Sequence, residues 1–161
     1  MVVSVMMYNC SSWAAPNNIL QKLDVCHRSH LRQILKIKWP SKISNEKLYR
    51  LCSTQPLSQR VKESRWKMFG YILRSPENTP ANLALSFAIT GVNHLKGRKG
   101  RHKINLLSLL RKDIDRIPVD RLSSDQHLHQ KLKLRNQSDI NILREIAYNR
   151  KLWRQLYYYV A

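Results

Sequence analysis

Apolar residues recur every three or four positions along most of this chain. Between Pro16 and Pro40, the residues Ile19, Leu20, Leu23, His27, Leu31, Ile34 and Leu35 share one face of a helix over 17–37. Trp39-Pro40 is expected to end it, because proline disfavours helical geometry in the residue before it. Ser44 is placed to cap a short helix carrying Leu48 and Leu51. Pro56 opens a longer helix, with Leu57, Val61, Met68, Phe69, Ile72 and Leu73 on one side and Arg60, Lys62, Lys67 and Arg74 on the other. Pro76 closes it, and PENTP at 76–80 reads as a turn.

Residues 81–89 form a short apolar helix. Periodicity is then lost through HLKGRKGRHK, residues 94–103, and returns with Ile104, Leu107, Leu110, Ile114 and Ile117, until Pro118 stops it. Residues 119–138 are polar and read as a loop with room for one helical piece. Ser138 is expected to cap a final helix holding Ile140, Leu143, Ile146, Ala147, Trp153 and Leu156. The apolar start of the chain predicts a buried helix or strand, and so abrupt a start is also what a cut through a larger protein leaves. Few glycines and few alternating β-branched runs argue against a sheet. The expected fold is all-α: an irregular array of five to seven helices, with a basic loop near 92–103 joining two of them.

Charge changes this picture more than composition does. The 161 residues carry 29 Lys and Arg against 10 Asp and Glu, a formal net charge of +19. The excess runs along the whole chain rather than in a tail. That favours a polyanionic partner, nucleic acid before an anionic membrane. The apolar start is too short to span a bilayer and lacks the basic flank of a signal peptide. Three cysteines, Cys10, Cys26 and Cys52, fit a reducing intracellular compartment better than a disulfide scaffold.

Little in the sequence points to chemistry. There is no phosphate-binding glycine loop, no GxSxG and no adjacent Asp pair. The acidic residues mostly lie beside basic ones, as in RKDIDR at 111–116, which reads as ion pairing on a helix surface. No acid, base and nucleophile set assembles, so the chain on its own is not expected to be an enzyme or to need a cofactor. Cys26 and His30 are four apart and would share a helix face, as two zinc ligands could, but no second close pair completes the set.

Three segments place an indole among cations: Lys36–Trp39, Arg65–Lys67 and Arg150–Arg154. Indole can stack on an unpaired base while Lys and Arg take phosphates. Trp66 and Trp153 lie near apolar stripes and are expected in the core, whereas Trp39 is open to either role. In HLKGRKGRHK, Gly97 and Gly100 would let the backbone follow a phosphate chain. Alone, such a cluster reads equally as a phosphate contact or as a solvated loop.

The order of these pieces resembles a family. Cys26 to Pro40 is similar to the LRRILGIRWP segment found after the polymerase core of non-LTR retrotransposon reverse transcriptases. Ile43 to Tyr49 resembles the ISNEELY that follows. Arg65 to Arg74 resembles RRLRWLGHVLR, Lys96 to Lys103 sits where the family has GRRKRGRPR, and Asn149 to Arg154 resembles DRxxWR. Five blocks in order cover most of residues 8–156. This chain has Tyr71, His102 and Asn149 where the family has His, Pro and Asp.

The resemblance implies a C-terminal piece, from about the thumb onward, of an endonuclease/reverse transcriptase. It would be a fragment or decayed copy without the YxDD centre, where the parent RNA-directed DNA polymerase holds Mg²⁺. Residues 1–90 would be thumb-like, 91–103 a basic linker and 104–161 a C-terminal helical region, or all one domain. The expected partner is RNA or DNA, with the parent's other domains where present and no membrane. The residues expected on phosphates are Lys96, Arg98, Lys99, Arg101 and Lys103, helped by Lys62, Arg65, Lys67 and Arg74. The competing readings are a structural remnant without function and a small metal-dependent nuclease.

Overall fold

The structure, a computed structural model, describes residues 2–90, 104–115, 134 and 136–160. Among them are eight α-helices and a single 3₁₀ turn, with no strand. The helices are α1 Val2–Met6, α2 Asn17–Ile34, α3 Asn45–Leu51, α4 Leu57–Arg74, α5 Pro80–Thr90, α6 Leu106–Ile114, α7 Gln137–Tyr148 and α8 Arg150–Val160, with the 3₁₀ turn at Cys10–Ser12. The all-α expectation holds. The count rises above seven because the N-terminal segment is helical and because the final helix divides at Asn149.

Helix α4 is the hub. It packs against the 3₁₀ turn, α2, α5, α7 and α8. Its buried stripe is Leu57, Val61, Arg65, Trp66, Phe69, Gly70 and Leu73, a run of threes and fours. Met68 and Ile72, expected on the buried side, are only half-buried. The stripe is rotated toward Arg65 and Gly70, for a reason that lies in the partners. The Trp153 indole lies directly on the α4 backbone at Gly70. A Cβ there would sit 2.6 Å from Trp153 Cε2 and 2.9 Å from Cδ1. In that position Trp153 Nε1 donates to the Trp66 carbonyl at 3.2 Å. The Trp153 ring centroid lies 5.5 Å from that of Trp66 and 6.0 Å from that of Phe69. Contacts between such rings contribute about 0.5–1.5 kcal/mol beyond the area they bury.

The main core surrounds this contact. It takes Trp66, Phe69, Leu73 and Leu85 from one part of the chain, and Leu110, Ile114, Leu134, Ile140, Leu143, Trp153 and Leu156 from another. Residues on both sides of 91–103 therefore share one core. A smaller cluster of Cys10, Leu20 and Val61 joins the N-terminal segment to the other end of α4.

Helix ends follow local chemistry. Ser44 Oγ accepts from Lys47 N at 3.2 Å and starts α3, as expected. Helix α2 stops at Ile34, five residues before Trp39. Lys36 takes a left-handed conformation (φ 54°), Lys36 N donates to Gln33 O at 3.1 Å, and Ile37 N donates to Arg32 O at 2.9 Å. These bonds satisfy the last carbonyls of the helix in the Schellman pattern, so Pro40 is not what ends it. The cap of α7 is Asn136 rather than Ser138: Asn136 and Asp139 form a reciprocal capping box. Asn149 Oδ1 accepts from both Lys151 N and Leu152 N at 3.2 Å and begins α8. An Asp at this position could make the same cap.

Two buried polar residues fix α4 at its ends. At the start, Asp24 of α2 accepts from Ser58 N at 3.0 Å and from Ser58 Oγ at 2.5 Å. A carboxylate there meets the unsatisfied amides and the positive end of the helix dipole. At the far end, Asn82 Nδ2 donates to the carbonyls of Ile72 and Ser75 at 2.8 and 2.7 Å, and reaches Pro76 O at 3.1 Å. Arg144 of α7 donates from Nε to Leu73 O at 3.2 Å and pairs with Glu77.

Two outcomes follow from this packing. Gly70→Ala should lower stability by about 1–3 kcal/mol, because the added methyl enters the indole of Trp153; urea unfolding checks it, and an unchanged midpoint would refute the close approach. The second concerns His27, buried beside Tyr49 at a ring separation of 6.1 Å. Burial holds its imidazole below the ordinary 6.5; Arg60 adds to this and Asp24 opposes it. The unfolded chain thus binds more protons than the folded chain in the window just below 6.5. This contribution is fully present above about pH 6.5 and is lost as pH falls through that window. Thermal melts should show a steeper acid decline for the native chain than for His27→Gln, and equal slopes would exclude His27 as the group.

Candidate nucleic-acid interface

The cations of α4 are largely committed to the fold. Arg65 is 2% exposed. Its Nη1 lies 3.4 Å from Asp113 Oδ2 and its Nη2 donates to Trp13 O at 3.3 Å. Trp66 Nε1 donates to the same Asp113 oxygen at 3.3 Å. Burial draws the Arg65 guanidinium below its ordinary value, and the Asp113 charge and hydrogen bond oppose that shift. Arg65, expected on phosphates, is therefore a core residue out of reach of a strand. Asp113, expected in a surface ion pair, is its buried counter-ion at 5% exposure. The RKDIDR segment misleads because helix α6 turns this one carboxylate inward against α4.

The other α4 positions differ from one another. Arg74 is half-buried and Nη1 donates to Ala147 O at 3.1 Å, closing the end of α7. Lys62 is half-buried. Lys67 is exposed, stands 3.7 Å from Glu63 Oε2 and lies 5.5 Å from the Tyr157 ring centroid. Lys96, Arg98, Lys99, Arg101 and Lys103, with the basic loop expected near 92–103, lie outside the described residues.

A different set of cations does converge. An open groove of about 1020 Å³ lies between the C-terminal half of α2 and the segment 37–45. Arg28, Arg32, Lys36 and Lys38 line it, and no carboxylate does. Neutral groups hold two of them: Arg28 Nη1 reaches the Tyr49 hydroxyl at 3.4 Å, and Arg32 Nη2 donates to Asn45 Oδ1 at 2.8 Å. Among the described residues, none of the four is in an ion pair. Two of the four charges are thus held in place by neutral partners. Trp39 follows Lys38 directly and is 87% exposed, whereas Trp66 and Trp153 are buried as expected.

These groove residues were absent from the set expected on phosphates, although a signal exists. Arg28 and Arg32 are spaced i, i+4 on one face of α2, and Lys36 and Lys38 follow just past its end. That spacing matters more than the local density of Lys and Arg, which draws attention to 94–103 instead.

No metal site is built here. Cys26 Sγ and His30 Nδ1 lie 3.8 Å apart, as their spacing predicts. Among the described residues, no group of three or more His, Cys, Asp or Glu comes together to hold an ion. The pair is two ligands, and the residues described do not fit the four of a structural zinc site.

No family model matches the chain, and comparison with curated proteins and with solved structures returns no significant match.

The buried Arg65–Asp113 pair carries the prediction of this site. Asp113→Asn should destabilise the chain by about 3–5 kcal/mol, because it leaves the Arg65 charge buried and uncompensated. Chemical denaturation measures this. A change under about 1 kcal/mol would mean that Arg65 is free to reach solvent, and so a phosphate.

Proposed function

We propose that this chain binds nucleic acid, as the segment downstream of the polymerase core of a retroelement reverse transcriptase, and that it carries no catalytic centre of its own. The observation that carries the reading is the groove of Arg28, Arg32, Lys36 and Lys38, lined by no carboxylate, on a chain of net charge +19. Neutral hydrogen-bond partners pre-position two guanidinium groups there without spending their charge, which suits phosphate binding. The parentage rests on the five ordered blocks. Its support is that residues from two of them, Trp66 and Gly70 in one and Trp153 in another, meet at one contact in the core. The four groove cations lie within the first block.

The test is binding to labelled RNA and DNA across a salt series. Each phosphate neutralised contributes about 0.7–0.9 to the slope of log affinity against log salt. Lys36→Glu with Lys38→Glu should weaken binding and reduce that slope by about 1.4–1.8. A flat salt response in the native chain, or no binding at low salt, would defeat the proposal and leave the remnant reading.

A further inference from the structure

We propose that the α2 groove is a seat for an unpaired strand, with Trp39 as its base-stacking platform; this rests on the nucleic-acid reading above and narrows it. Of the large hydrophobic residues described, Trp39 is the most exposed, at 87%. Trp66 and Trp153 are buried and Trp13 is half-buried, so the fold makes no comparable use of this fourth indole. Its position is set by the turn that ends α2. The left-handed Lys36 reverses the chain there, and Lys36 and Lys38 line the groove immediately before Trp39.

The cations are arranged for a strand rather than a single ion. Arg28 and Arg32 stand one above the other on α2, roughly 6 Å apart along its axis, and Lys36 follows in the turn that ends the helix. Lys38 also lines the groove, and the exposed Trp39 is the next residue in the chain. A free indole face has a partner only where a base is unstacked. In a duplex the base faces are already covered, and sequence or shape must be read from the grooves. An exposed ring beside a file of uncompensated cations therefore selects an unpaired strand. The same chemistry serves RNA and DNA, because the phosphates and the π-face are common to both.

The experiment uses the full chain and three probes: an oligothymidylate of about 12 nucleotides, a blunt duplex of equal length, and vesicles rich in phosphatidylserine. The oligothymidylate should bind at least about 10-fold more tightly than the duplex at equal salt, and should quench indole emission. Trp39→Ala should weaken that binding by about 10-fold or more and leave the duplex affinity and both salt slopes unchanged. Trp39→Phe should recover most of the loss. At 87% exposure, Trp39 can be replaced without disturbing the core. Equal affinity for the two nucleic acids, unmoved by Trp39→Ala, would overturn the seat and leave general nucleic-acid binding standing. Binding to neither would overturn both. Vesicles that shift the indole emission to the blue, with no response to oligothymidylate, would make this face a membrane contact and overturn the seat.

Discussion

The approach of Trp153 to the backbone of α4 at Gly70 is the constraint on which the rest depends. Helices usually meet side chain to side chain, with axes 8–10 Å apart. Here an indole reaches past that layer and donates to a main-chain carbonyl, which requires that one residue of the facing helix have no side chain. Gly70 meets that requirement. Once Trp153 is seated, Trp66 and Phe69 close around it, and α7 and α8 are held against α4. A helix-weakening glycine in mid-helix, ordinarily a cost of about 1 kcal/mol, is thereby explained by packing.

A second layer of order comes from polar residues that terminate helices from a distance. Asp24 serves the first turn of α4, and Asn82 and Arg144 serve its last carbonyls. Arg74 reaches the end of α7 in return. These bonds join residues up to about seventy positions apart and hold α4 in register with its neighbours. They also consume basic residues. In a chain this basic, the question of function is which charges remain after the fold has used its share. Arg65, Arg74 and Arg144 are spent on structure. Arg28 and Arg32 are also hydrogen-bonded, but to Tyr49 and Asn45 at the edge of a groove that Lys36 and Lys38 share and that no carboxylate lines.

That division explains the reading of function. Charge density alone points to residues 94–103, where basic side chains crowd together. Geometry points to the groove at the end of α2, where fewer cations gather and two of them are held by neutral partners. Alignment is what a phosphate chain needs, because each contact then neutralises a different phosphate. In the proposed reading, the exposed indole of Trp39 would add a contact that charge cannot make.

The sequence by itself determined the helices. Spacing by threes and fours marked α2, α4, α6 and α7, and Ser44 and Pro56 marked the starts of α3 and α4, because these signals act within a turn or two of the chain. It also placed Trp66 and Trp153 in the core. Only the tertiary structure decided which charges are buried. Arg65 and Asp113 are forty-eight positions apart, and nothing local to either reveals the other. The same holds for the roles of Gly70 and of Asn82, each set by where a neighbouring helix lies. Local patterns fix elements because hydrogen bonding and steric limits are short-ranged. The fate of a polar side chain depends on what is folded against it, and that is settled only when the helices meet.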